Sequence, residues 1–227
     1  MTRYDFTTQP NRLDQNTMKW HEAESNPELL ELWVADMDFL PVPEIRDAVI
    51  NYAETHIFGY PYPSEELYQS IINWEKNQHG YVVDKESIVL IEGVVPAIST
   101  AIQAFTKEGD AVLINTPVYP PFARSVRLNN RRLIENSLVK VNGHFEIDFE
   151  QLERDIVEND VKLYVFCSPH NPGGRVWTKE ELTKVADLCQ KHGVLLVSDE
   201  IHQDLALYGN KHISMNTISD AYKDFTL

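Results

Sequence analysis

Apolar positions along the chain fall into two alternating rhythms. Short continuous runs, at residues 88–91, 111–114, 161–167 and 194–197, are each closed by glycine, proline or a polar cluster, as strands buried on both faces of a parallel sheet are. Between them apolar residues recur every three or four positions, the period of a helix with one face inward. Ile45, Ala48, Val49 and Tyr52 make such a stripe after Pro43. Leu67, Ile71 and Trp74 make another after Ser64, and Ile98, Ile102 and Phe105 a third within 97–106. Leu152 with Ile156, and Leu182 with Val185, Ala186 and Cys189, complete the series.

Polar punctuation agrees with this division. Ser64 is placed to cap the second helix, Asp148 with Gln151 and Thr178 with Glu181 have capping-box spacing, and Gly193 is placed to stop the last helix. Residues 131–139 form a further extended stretch. Strand, helix and strand repeating at this spacing predict an α/β fold, a right-handed, mainly parallel sheet sandwiched by helices. Residues 1–42 lack periodicity, so they are expected to be an irregular segment ordered by docking on something larger, with 43–227 as the main domain.

Composition narrows the partners. The 227 residues are 43% hydrophobic and 24% charged, enough for a sizeable core in a soluble globular chain. A formal charge of −15 disfavours nucleic acid and anionic membrane. No apolar run approaches the roughly 20 residues of a membrane span, and the first residues have no apolar signal core. Two cysteines, Cys167 and Cys189, make neither a disulfide framework nor metal-ligand spacing, so no metal is expected and a cytoplasmic location fits.

The candidate chemistry sits at the carboxyl ends of two predicted strands, where ligands of open α/β sheets collect. One ends in Asn171-Pro172-Gly173-Gly174, the other in Ser198-Asp199-Glu200-Ile201-His202. Alone, the first is an ordinary turn and the second a solvated acidic cluster. Together they resemble the paired signature of fold-type I pyridoxal 5'-phosphate (PLP) enzymes of the class I/II aminotransferase superfamily. The Asp-Glu-Ile-His form and Trp33-Val34-Ala35-Asp36-Met37-Asp38-Phe39 are similar to the MalY/PatB group of cystathionine β-lyase-type C–S lyases. The resemblance runs over essentially the whole chain. It implies the large PLP-binding domain of that fold, incomplete here, with 1–42 contributing to the small domain and a substrate loop.

It also implies roles. Asp199 keeps the pyridine nitrogen protonated, Asn171 donates to the phenolic oxygen, and Tyr119 stacks on the ring. Val94 and Val95 offer backbone N–H groups to the phosphate, which the strand, glycine turn and helix order around Gly93 independently makes a plausible anion seat. Tyr60 reaches the phosphate of the neighbouring subunit of a homodimer, and Ala35 and Asp36 border the amino-acid substrate. His202 stands where most related aminotransferases carry tyrosine, and takes a cofactor-adjacent place without proton transfer. The bland readings are a packing aromatic for Tyr119, a core tyrosine in a turn for Tyr60 and a structural histidine for His202. Ser168, His170 and Arg175 read as structural.

The family's Schiff-base lysine stands in a Ser-x-x-Lys turn after the Asp-Glu pair. Lys211 and Lys223, the lysines after His202, lack that context. The chain therefore reads as the amino-terminal part of a longer C–S β-lyase that releases thiol, pyruvate and ammonia, inactive as it stands. The alternatives are an aminotransferase on the same scaffold and a non-catalytic binding or assembly module. A nicotinamide-binding protein is disfavoured because no G-x-G-x-x-G follows a strand.

Overall fold

The computed structural model describes residues 4–26 and 28–227. Contacts between residues divide the chain into two compact units, Met1–Tyr62 and Pro63–Leu227. The division falls later than the boundary expected after residue 42, so the helix after Pro43 groups with the amino-terminal segment.

The first unit holds α1 (His21–Ser25) and α2 (Pro43–Thr55). Its irregular chain is tied together by charge within the unit itself. Asp38 accepts from Arg12 at 2.5 Å, from the buried Lys19 at 2.9 Å and from Trp20 Nε1 at 3.0 Å. Lys19 donates also to the Asp36 carbonyl at 2.9 Å, and Arg12 to the Asp36 carboxylate at 2.6 Å. The Lys19 hydrogen bond, helped by Trp20 and Arg12 and opposed by burial, lowers the Asp38 carboxyl to about 2. The stripe expected to be buried along α2 is exposed: Ile45 is 61% and Val49 64% accessible.

The second unit begins with α3 (Glu65–Trp74), α4 (Val94–Phe105), β1 (Ala111–Thr116), α5 (Pro121–Leu128) and β2 (Arg132–Ser137). A hairpin of β3 (Val139–Val141) and β4 (His144–Glu146) leads to α6 (Phe149–Asn159), β5 (Val161–Cys167), α7 (Lys179–His192) and β6 (Leu195–Asp199). The four long strands pair in the order β2-β1-β5-β6, all parallel. Helices cover both faces, as the continuous apolar runs require. Leu113, Tyr164, Phe166 and Leu196 pack with Leu152 and Ile156 of α6 and Leu182, Val185 and Cys189 of α7. Val112, Ile114, Leu163, Val165 and Val197 pack on the other face with Ile98 and Ile102 of α4 and Phe122 and Val126 of α5.

Four local expectations change. Residues 88–91 form no strand, because no described segment pairs with their backbone. Helix α4 begins at Val94 rather than at residue 97: Pro96 lies in the first turn, where an amide hydrogen has no intrahelical partner to lose. Phe105 is 56% exposed instead of inward. The capping at Asp148 is one-armed, since Gln151 N–H donates to it at 3.0 Å while the Gln151 amide turns to Asp155 at 2.7 Å.

The box at Thr178 is complete. Glu181 N–H donates to Thr178 Oγ1 at 3.2 Å and Thr178 N–H to Glu181 Oε2 at 2.8 Å. Glu181 also accepts from Arg175, whose Nη2 reaches its two oxygens at 2.6 and 2.8 Å. Thr178→Ala removes one arm and is expected to cost about 1 kcal/mol. Urea unfolding checks this; a loss below about 0.3 kcal/mol means the Arg175–Glu181 pair alone holds the helix start.

Candidate active site

Parallel pairing puts the carboxyl ends of β1, β5 and β6 along one edge of the sheet. Asp199 is the last residue of β6 and stands opposite Cys167, the last of β5. Ser168 N–H continues the ladder to the Asp199 carbonyl at 2.9 Å, so the turn carrying Asn171 starts beside the acid. Tyr119, on the loop after β1, donates its N–H to the Asn171 carbonyl at 3.1 Å. The three strand tips thus bring Tyr119, Asn171 and Asp199 to neighbouring places. Cis peptide bonds precede Pro117, Pro169 and Pro172 in these turns.

Asp199 is 7% exposed. Burial raises its pKa, opposed by the Ile201 N–H bonded to Oδ1 at 3.1 Å and by nearby His202, while Glu200 adds to the rise. Such an acid is suited to gripping a proton held on a basic partner, because the shared charge relieves its desolvation. Asp199 lines a cavity of about 890 Å³ together with its β6 neighbours Val197 and Ser198 and with Val94, Ala97 and Ile98 of α4. Ala97 N–H makes the helix's first bond, to the Gly93 carbonyl at 3.1 Å. The N–H groups of Val94 and Val95 come before it, and they and the helix dipole favour an anion.

The cavity is not lined by Val95, Tyr119, Asn171 or His202. Val95 is partly buried on the helix end, Tyr119 is exposed and stands edge-on to Phe122, and His202 begins a short turn by accepting the Leu205 N–H at 2.9 Å. Ala35, Asp36 and Tyr60 belong to the amino-terminal unit. Tyr60 is fully exposed there, and Asp36 is held by Arg12.

Several residues shape the turn without having stood out by residue type. Cys167 Sγ accepts the Asn171 N–H at 3.3 Å and donates to the Pro169 carbonyl at 3.4 Å. Burial pushes this thiol up to about 12, so it is a protonated brace rather than a nucleophile. His170 Nδ1 accepts the Gly173 N–H at 3.2 Å, and burial, reinforced by Arg175, lowers its pKa to about 4. The ring is neutral at pH 7 and packs edge-on to Trp177, over which Arg175 stacks. Trp177 Nε1 in turn donates to the Cys167 carbonyl at 2.9 Å. The structural reading of His170 and Arg175 therefore holds.

The family model described as aminotransferase class I and II matches residues 27–225. The chain belongs to this family. It is 41% identical, over 98% of its length, to the cystathionine β-lyase PatB of Bacillus subtilis, and 33% identical, over 85%, to the protein MalY of Escherichia coli. Cystalysin of Treponema denticola, whose structure contains a pyridoxal 5'-phosphate cofactor, superposes with a TM-score of 0.92 at 39% identity over 98% of this chain. The chain spans 58% of the length of PatB and of cystalysin, and 50% of MalY. The resemblance read from Asn171-Pro172-Gly173-Gly174, from Asp199 to His202 and from the 33–39 loop is borne out, as is the sandwiched parallel sheet.

Proposed function

We propose that this chain carries the ring and phosphate contacts of a PLP-dependent C–S β-lyase acting on a sulfur-containing amino acid. The observation that carries the reading is Asp199, a buried acid at a strand tip, with the Asn171 turn bonded beside it and Val94 at the amino end of α4 lining the same cavity. These residues fit the group chemically. A desolvated carboxylate matches a pyridinium nitrogen, an amide matches a phenolate, and free helical N–H groups match a phosphate. PLP, when bound, supplies an electron sink for the pair released at the amino acid's Cα, which lets a sulfur leaving group depart from Cβ.

The chain's own residues then divide the work. Asp199 holds a proton on the ring nitrogen, Asn171 donates to the ring oxygen, and Tyr119 offers a stacking face. Val94 and Val95 seat the phosphate, and His202 lies next to the cofactor. In the amino-terminal unit Ala35 and Asp36 border the substrate, in a loop that Asp38 anchors on Arg12, Lys19 and Trp20. Tyr60, exposed on its turn, serves the phosphate of a second copy in a homodimer. Two separate buried thiols suit a reducing cytoplasm, and no described helix is long and apolar enough to cross a membrane.

Lys223 lines the Asp199 cavity, but its ammonium is engaged by Asp220 at 2.8 Å. With no lysine in the Ser-x-x-Lys setting, the chain is expected to bind PLP without turning substrate over. Equilibrium dialysis should show saturable binding of PLP, whereas failure to saturate overturns the cofactor assignment. The reaction type is read by joining the chain to the part of the B. subtilis relative that it does not match, then supplying cystathionine. Pyruvate and thiol are expected. Amino-group transfer to a keto acid, with no pyruvate, instead favours the aminotransferase alternative that the family name allows.

A further inference from the structure

The residue after Asp199 contributes no atom to the contacts described so far, yet its carboxylate is the most heavily engaged group near that strand tip. Glu200 keeps 17% of its side chain exposed. Its Oε1 accepts the Ser198 hydroxyl and the Met215 N–H, both at 2.9 Å, and its Oε2 meets His212 Nε2 at 3.0 Å. Ser198 belongs to β6, while Met215 and His212 belong to a distant loop in which both are buried. The His212 ring stands edge-on to His79 at 5.9 Å, and His79 Nε2 lies 2.7 Å from Asp204, which also receives Trp74 Nε1 at 3.2 Å. One carboxylate thus pins the backbone at residue 200 between the end of β6 and a polar chain reaching α3.

That backbone matters for the acid beside it. The peptide following Glu200 presents the Ile201 N–H that holds Asp199 Oδ1, and Asp199 Oδ2 accepts no hydrogen bond among the described residues. Fixing one oxygen leaves the other in a set direction. We propose that Glu200 is a positioning residue for Asp199: its three accepted hydrogen bonds lock the 200–201 peptide, so that Ile201 N–H orients the Asp199 carboxylate. Glu200 is not a catalytic residue, since protein donors occupy both of its oxygens. The orientation gains its purpose from the proposed PLP site, on which this inference rests for meaning though not for measurement.

Hydrogen exchange on the apo protein tests it. In Glu200→Ala the Ile201 amide is expected to exchange on the order of tenfold faster, while reference amides in β5 stay within about twofold. Glu200→Gln retains an oxygen acceptor for Ser198 and Met215 and should keep Ile201 close to wild type. If Ile201 in Glu200→Ala is as protected as in wild type, or Glu200→Gln is as fast as Glu200→Ala, the inference is overturned. Should Glu200→Ala fail to fold, Glu200→Asp, one methylene short of the same donors, takes its place with the same expected rise. A parallel PLP titration keeps the two readings apart: no PLP binding by wild type, with the Ile201 response intact, sinks the cofactor reading and leaves the positioning role standing.

Discussion

Asp199→Asn is expected to weaken PLP binding by about 10- to 100-fold, the equivalent of a lost charge-assisted hydrogen bond of about 1.5–3 kcal/mol. At pH 7 the same change should raise the melting temperature of the apo protein. The two effects have one cause. Burial raises the Asp199 pKa above its value in an unfolded chain, so holding it ionised at neutral pH costs folding free energy. The sign follows from proton binding. Between the unfolded and folded pKa values the native state holds more protons, and stability falls as pH rises through that window. Asparagine keeps an oxygen for the Ile201 N–H and carries no charge, so it removes the cost. The gain should therefore be present at neutral pH and fade as acid protonates Asp199 in the wild type. Thermal melts across pH, paired with PLP titration, measure both halves. Unchanged PLP affinity with a raised melting temperature means the acid does not serve the ring. A lower melting temperature at pH 7 means Asp199 is a structural ion-pair partner instead.

Gly173→Ala is expected to destabilise the protein by about 1–3 kcal/mol, the range for forcing an atom into a filled site. For a chain of this size that is a fall of roughly 2–12 °C in melting temperature. A Cβ on Gly173 would stand 2.5 Å from His170 Nδ1 and 3.1 Å from Phe145 Cδ2. The first neighbour is also the acceptor of the Gly173 N–H, so relieving the clash strains that bond too. Backbone strain is not the reason, for Gly173 is not among the positive-φ glycines; the close approach of the His170 ring is. Movement here carries to Asn171, so PLP binding should weaken along with stability. Adding His170→Ala removes the opposing ring and should recover at least about 0.5 kcal/mol relative to the sum of the single changes. Strictly additive losses would show that the ring is not what excludes a side chain at 173.

Much of this architecture is written locally. The limits of β5 were readable because a strand covered on both faces is apolar, here at every position but Lys162, and polar residues bound it at Asp160 and Ser168. The start and stop of α7 were readable because Thr178, Glu181 and Gly193 act on their own backbone within one turn. Asn171 and Asp199 were readable as a pair because one lies in the turn after a strand and the other ends one, and parallel strands deliver their carboxyl ends to one edge.

Residues 88–91 show where local reading stops. Their apolar run has strand character, but a strand exists only where another backbone accepts its hydrogen bonds, and that partner is a property of the whole sheet. Phe105 and the α2 stripe have helical spacing, which reports that a face is apolar and not whether anything covers it. Cys167, His170 and Glu200 drew no functional reading of their own, because their partners at Pro169, Asn171, Gly173, His212 and Met215 become neighbours only after the turns close.

By itself, the sequence determined the α/β alternation, the family signature and the identity of the acid and amide at two strand tips, since these rest on short-range periodicity, capping and residue chemistry. Only the tertiary structure decided which segments pair, which apolar faces are covered and how the 168–175 turn and the 199–201 peptide are braced. Those outcomes depend on contacts between residues far apart in the chain, and such contacts have no signature in the local pattern.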